Sequence, residues 1–122
     1  HRNLNIKRIG FVASEITKNR GAAICAPIAP YEESRNYVKE IIAQYGEYIL
    51  VHVSTSLEVC QKRDTKGLYR KAKEGLIKGL TGVDDPYEIP VDANLVIDTD
   101  GISVSSAVKD IISYLQDTNL IQ

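Results

Sequence analysis

Three short apolar runs that do not alternate with polar residues, 22–28, 48–53 and 95–98, constrain this chain more than any other feature. A strand with one wetted face alternates, whereas a strand covered on both faces reads as a continuous apolar run. Helical sequence separates the runs. Leu4, Ile6, Ile9, Phe11, Val12 and Ile16 recur mostly at steps of three and four among Lys7, Arg8, Glu15 and Lys18, which predicts an amphipathic helix over 2–19 with Gly21 as its C-terminal cap. Tyr31, Glu32, Glu33 and Ser34 open a second helix reaching residue 45, with acids in the first turn as the helix dipole favours and Gly46 as its stop. Ser54, Thr55 and Ser56 offer N-caps for a short helix over 57–62, and another helix is predicted over 68–74. Ser103 caps a last helix, on which Val104, Val108, Ile111, Ile112 and Leu115 form a stripe expected to be buried. Strands and helices alternating in this way predict an α/β fold with a mostly parallel sheet and right-handed crossovers.

With 122 residues, 43% of them hydrophobic, the chain has material for one modest core, and no repeat or linker interrupts it. One domain over 1–122 is therefore expected. A three-strand parallel sheet is thin, because such sheets need both faces and both edges covered. The chain also begins at His1 in helical sequence and contains no Met, so it reads as a piece of a longer polypeptide, with an N-terminal βα unit lying outside it. A net charge of −1 speaks against a protein that coats nucleic acid. No run approaches the roughly twenty apolar residues that span a bilayer, and no signal peptide is visible, so a cytoplasmic protein without membrane association is expected. Cys25 and Cys60 fall in a predicted strand and a predicted helix without Cys-x-x-Cys spacing or nearby His, and read as reduced packing residues.

Positive charge is concentrated in one place. Arg63, Lys66, Arg70, Lys71, Lys73 and Lys78 lie among Gly67, Gly75, Gly79 and Gly82, ahead of Val83, Asp84, Asp85, Pro86 and Tyr87. Taken singly, such lysines are ordinary solvated charges. Together, on a segment too rich in glycine to be core, they describe a cationic lid for an anionic ligand such as a nucleotide. Ligands of open α/β sheets bind beyond the carboxyl ends of the strands, where Pro27, Ile28, Ala29, Pro30 and Tyr31, then Ser54, Thr55 and Ser56, and then the lid all fall. Pro27 and Pro30 also suit a rigid strand-to-helix turn, and Asp84 with Asp85 beside Pro86 suits a turn better than a metal site. His52 lies in an apolar run with no carboxylate beside it and reads as a core histidine. No Ser-His or Cys-His pair assembles from the sequence, and neither G-x-x-x-x-G-K-[ST] nor G-x-G-x-x-G occurs in it.

The run Arg63-Asp64-Thr65-Lys66-Gly67-Leu68-Tyr69, followed by Ile77-Lys78-Gly79-Leu80-Thr81-Gly82-Val83-Asp84-Asp85-Pro86-Tyr87-Glu88, resembles the lid of adenylylsulfate (APS) kinases. Arg2, Asn5, Ile6, Lys7, Arg8 and Ile9 resemble the helix that follows the family's Asp-Gly-Asp-Asn segment. Ile28-Ala29-Pro30-Tyr31 stands where the family has Ile-Ser-Pro-Tyr. The likeness runs over essentially the whole chain. The stretch from Ala26 to Arg35 is closer still to APS-kinase domains fused to ATP sulfurylase (sulfate adenylyltransferase), including the regulatory domain of fungal ATP sulfurylases, which keeps the fold without the chemistry. The resemblance implies an α/β, P-loop NTPase-like parallel sheet with flanking helices and a basic lid over 63–92, its P-loop lying outside this chain. It implies transfer of the γ-phosphoryl group of ATP, with Mg²⁺, to the 3′-hydroxyl of adenylylsulfate, giving 3′-phosphoadenylylsulfate. It also implies fusion to an ATP sulfurylase domain and a homo-oligomer.

Carried over residue by residue, the resemblance puts Arg2 and Asn5 against adenylylsulfate, Ile28 and Ala29 along its pocket, and Lys66 with Lys78 over its phosphosulfate. Arg63 would lie against the adenine of ATP, which a planar guanidinium suits by stacking. Two positions depart from the family. Ala29 replaces the usual serine and loses its hydroxyl, and Leu80 replaces the phenylalanine that packs on the adenylylsulfate base, where an aliphatic side chain cannot stack. Without a P-loop and the Asp that serves Mg²⁺, a polypeptide of this extent is expected to give no kinase turnover alone, and no catalytic or metal residue is assigned within it. The rival expectation is a regulatory domain of ATP sulfurylase that binds 3′-phosphoadenylylsulfate without turning it over. The well-kept lid favours the enzyme, while Ala29 and Leu80 lean toward the rival.

Overall fold

The structure, a computed structural model, describes residues 1–122 and is α/β: five helices and a two-stranded parallel sheet. The chain clusters into two compact units, His1–Tyr48 with Pro86–Pro90, and Ile49–Asp85 with Val91–Gln122.

In the first unit, helix α1 (Arg2–Lys18) packs on helix α2 (Glu32–Ala43). Ile6, Ala13 and Ile42 are buried, and Gly10 permits a close crossing: a Cβ there would sit 2.5 Å from a Val38 methyl. Lys7 joins the two helices, its Nζ lying 3.8 Å from Glu33 and 4.9 Å from the centre of the Tyr37 ring. The end of α1 departs from expectation. Arg20, not Gly21, takes the left-handed conformation at φ 64°, while the Gly21 amide donates to the Ile16 carbonyl and the Arg20 amide to that of Thr17. Gly21 is needed for space, because a Cβ would meet an Ile16 methyl at 2.7 Å. Helix α2 ends as expected, with the Gly46 amide on the Ile42 carbonyl.

Residues 22–28 form no strand, contrary to the sequence reading. Ile24 is fully exposed and Cys25 is exposed, so that cysteine is not a packing residue. A strand exists only through its ladder partner, and none of the 122 residues pairs with this run.

The second unit holds strands β1 (Val51–Val53) and β2 (Leu95–Ile97), paired in parallel with Val51 opposite Leu95, His52 opposite Val96 and Val53 opposite Ile97. The sheet thus has two strands rather than three, and β1 is shorter than the apolar run that suggested it. Asn94 extends the pairing at one end, accepting from the Leu50 amide at 2.8 Å, and the Ser54 amide donates to Ile97 at the other. Between the strands lie α3 (Leu57–Arg63), capped by the Ser56 hydroxyl, and α4 (Leu68–Lys73). After β2, the Ser103 hydroxyl caps α5 (Val104–Asp117), which packs on β2. The expected buried stripe of α5 is not buried: Val104, Val108 and Ile112 are exposed and Ile111 and Leu115 half-buried. Two short strands offer too little surface to cover fourteen residues of helix.

Candidate functional site

The first unit contributes a turn and a helix start. Arg2 and Asn5 occupy the first turn of α1, three residues apart and therefore on one side of it. Ile28 is exposed. Ala29 is held at φ 44°, a conformation disfavoured for a residue with a Cβ. Arg35, almost wholly buried in α2, donates from Nη1 to the Ala29 carbonyl at 2.9 Å and so fixes this bend. One residue further, the Glu88 amide donates to the Pro30 carbonyl, and the Glu88 carboxylate accepts from the Glu32 amide at 2.6 Å. A carboxylate on the first amides of a helix satisfies an orphan donor and suits the positive end of the dipole. The turn that carries Ile28 and Ala29 is thus clamped on both sides.

The second unit holds the basic segment. Asp64, at φ 27°, turns the chain between α3 and α4 and caps α4 with both carboxylate oxygens, each accepting at 3.0 Å from the amides of Tyr69 and Arg70. Gly67 supplies the left-handed residue that enters α4. Lys66 stands on this tight turn and, with Arg63, borders an open recess of about 370 Å³ lined also by Cys60, Thr65, Leu68 and Tyr69. Burial pushes the Tyr69 phenol above its ordinary range, helped by charge on Cys60 and Asp64 and by a hydrogen bond with Cys60. The phenol therefore stays protonated and serves as a hydrogen-bonding group rather than an ion. The Cys60 Sγ lies 3.9 Å from the Thr55 carbonyl and is half-buried, as a packing cysteine would be.

Downstream, Lys78 is exposed and Leu80 half-buried, and neither lines that recess. Leu80 begins a compact turn: its amide donates to the Asp84 carboxylate at 3.2 Å, its carbonyl receives the amides of Val83 and Asp84, and the Gly82 amide donates to the Asp85 carbonyl at 2.7 Å. Gly82 adopts φ 84° there. Asp84 makes the turn, and no group of three His, Cys, Asp or Glu is placed to hold a metal ion.

At the carboxyl ends of β1 and β2 lies a network the sequence reading missed. Arg63 donates from Nη1 to the Thr99 hydroxyl at 2.7 Å and from Nη2 to the Thr99 carbonyl at 2.8 Å. The Thr99 hydroxyl lies 2.6 Å from that of Thr55, whose oxygen also accepts from the Thr99 amide at 3.0 Å. Thr55 was legible as a possible helix cap, a role that Ser56 takes, and as part of the rim beyond the strands, but not as a partner of Thr99. Asp64, Arg35 and Glu88 were missed as well; of these only Asp64, an Asx residue just before a helix, carried a local signal.

The residues present fit part of a nucleotide. Arg63 offers a held guanidinium and Lys66 a cation, but the 122 residues contain no phosphate-cradling loop, so the ATP phosphates and Mg²⁺ are assigned to none of them. No helix is long and apolar enough to cross a membrane.

A family model for adenylylsulphate kinase matches residues 1–98. The chain is 52% identical over 120 residues to a sulfate adenylyltransferase of Chaetomium globosum, and 55% identical over 115 residues to one of Aspergillus oryzae. These alignments cover 98% and 94% of this chain but only 21% and 20% of the relatives, so the chain spans about a fifth of their length. Among solved structures, the Mycobacterium tuberculosis APS kinase CysC in complex with AMPPNP and APS superposes with a TM-score of 0.88 at 31% identity, over 94% of this chain and 66% of that one. A hexameric APS kinase from Thiobacillus denitrificans superposes with a TM-score of 0.72 at 37% identity, over 100% of this chain and 19% of that one. The small parallel sheet, the flanking helices and the basic segment thus have their counterpart in the P-loop kinase fold, and the chain belongs to the adenylylsulphate kinase family.

Proposed function

We propose that this chain is the adenylylsulfate-binding, APS-kinase-type domain of a sulfate adenylyltransferase polypeptide, and that its segment 63–92 is a lid over the nucleotide. The observation that carries the reading is the cation-bearing turn at Asp64–Gly67, which presents Lys66 and Arg63 beside one open recess. Residues 1–122 act as one partial domain in this reading. Arg2, Asn5, Ile28 and Ala29 contact adenylylsulfate, Leu80 lies against its base, Lys66 and Lys78 neutralise its phosphosulfate, and Arg63 meets the adenine of ATP. Phosphoryl transfer asks a protein mainly for positioning and charge neutralisation, both of which a folding cationic lid supplies. ATP bound with Mg²⁺ supplies the transferred phosphoryl group, and the product is 3′-phosphoadenylylsulfate. Fusion to the adenylyltransferase follows the relatives, of whose length this chain is a fifth, and oligomerisation follows the hexameric neighbour. The polypeptide is cytoplasmic in this reading.

A second reading has a specific observation in its favour. The relatives at 52% and 55% identity are named for sulfate adenylyltransferase alone. In that reading the domain binds 3′-phosphoadenylylsulfate as a signal and adjusts the adenylyltransferase without phosphorylating anything. Ala29 and Leu80, which lack the hydroxyl and the aromatic ring of the kinase pattern, agree with it.

One experiment separates the two. The purified full-length polypeptide is incubated with ATP, Mg²⁺ and adenylylsulfate, and 3′-phosphoadenylylsulfate is quantified; its adenylyltransferase rate is then measured against added 3′-phosphoadenylylsulfate. Turnover establishes the kinase. No turnover, with a saturable change in the adenylyltransferase rate, establishes the sensor. Neither turnover nor binding of either nucleotide would remove both readings.

A further inference from the structure

We propose that Thr99 is a positioning residue for a nucleotide base: its hydroxyl and carbonyl hold the Arg63 guanidinium as a fixed platform at the carboxyl ends of β1 and β2. This rests on the proposed function, in which Arg63 meets an adenine. Arg63 ends α3, and its exposed side chain would otherwise sample many rotamers. Two parallel donations to one residue, at 2.7 and 2.8 Å, remove that freedom and set the orientation of the plane. Thr99 is itself held. A guanidinium cannot accept a hydrogen bond, so the Thr99 hydroxyl accepts from Arg63, and it shares a second hydrogen bond with the Thr55 hydroxyl at 2.6 Å. The Thr99 amide donates to the same Thr55 oxygen at 3.0 Å. Thr55 lies two residues past β1 and Thr99 two past β2, so the platform is anchored close to the ends of two paired strands.

Both donations use the edge of the guanidinium and leave its faces available. A planar, weakly hydrated cation with a free face stacks on aromatic rings, and the purine of an adenine nucleotide is such a ring system. Leu68 and Tyr69, among the residues lining the recess that Arg63 borders, give a base apolar and aromatic surface to lie against, alongside the charged Asp64 and Lys66. One hydrogen on each Nη is engaged with Thr99, while Nε and the other Nη hydrogens are left for further partners.

The test uses the full-length polypeptide and two probes, AMPPNP, which carries an adenine, and inorganic tripolyphosphate, which carries none. Thr99→Val removes the hydroxyl and keeps the branched shape, whereas Thr99→Ser keeps the hydroxyl. AMPPNP affinity should fall roughly tenfold in Thr99→Val, about the worth of one hydrogen bond to a charged group, and recover to within about twofold in Thr99→Ser. Tripolyphosphate affinity should not change in either. Combining Thr99→Val with Arg63→Ala should cost no more than Arg63→Ala alone, since Thr99 acts through Arg63. Unchanged AMPPNP affinity in Thr99→Val overturns the proposal and leaves nucleotide binding standing. An equal loss for both probes, or additive losses in the double variant, also overturns it, since Thr99 would then be merely structural. Absence of AMPPNP binding to the unsubstituted polypeptide overturns the proposal and the kinase reading together.

Discussion

Replacing Lys66 and Lys78 together by alanine is expected to weaken adenylylsulfate binding by roughly 100-fold, with about tenfold from each, as the loss of one charge-assisted hydrogen bond per lysine implies. Both side chains are exposed, so the melting temperature should stay where it was. Calorimetric titration of the full-length polypeptide reads the loss directly. Its salt dependence supplies a second check, because contacts between cations and an anion on an open surface weaken as the Debye length shortens from about 10 Å at 0.1 M salt to about 3 Å at 1 M. The unsubstituted protein should therefore lose affinity with salt more steeply than the double variant. An unchanged affinity would mean that these lysines are solvated charges and that the segment 63–92 is not a lid.

The second large effect concerns the fold. Gly10→Leu should destabilise the protein by about 2 kcal/mol or more, although leucine is the better helix former by roughly 1 kcal/mol. The sign is decided by space. A Cβ at position 10 would lie 2.5 and 3.0 Å from the two Val38 methyls, and a β-branched side chain in a helix has no alternative rotamer into which to retreat. Helices α1 and α2 must then separate, and Ile6, Ala13 and Ile42, which are buried in this unit, lose their cover. Urea denaturation should show a lower midpoint at unchanged slope, and Val38→Ala in the same chain should recover part of the loss. Equal stability of Gly10→Leu and the unsubstituted protein would contradict the close crossing.

Local signals in the sequence were the reliable ones. Ser56 and Ser103 cap helices where their hydroxyls were expected to, and Gly46 ends α2, because each interaction lies within one turn of the residue that makes it. Residues 22–28 and the stripe of α5 were misread for one reason. An apolar run reports that burial is favourable, not what performs it, and neither the partner strand of the first nor the full cover of the second lies within these residues. The left-handed residue after α1 was assigned to Gly21 on conformational grounds, whereas the close approach of Ile16 explains that glycine and Arg20 takes the strained angle.

The candidate site divides in the same way. Clustered cations and spaced glycines were legible in the order of residues. What holds them was not. Arg63 meets Thr99 across 36 positions, and Glu88 meets the start of α2 across 56, so neither pairing exists until the chain has folded. Asp64 is intermediate: it sits five and six residues from the amides it caps, close enough to be read as a helix start, but its acid was lost among the cations.

The lid is tested most directly by a crystal structure of the full-length polypeptide with adenylylsulfate bound. The nucleotide is expected beneath residues 63–92, with the ammonium groups of Lys66 and Lys78 within hydrogen-bond distance of its phosphosulfate oxygens. A nucleotide found at any other place on this domain, with both lysines pointing into solvent, would contradict that role for the segment.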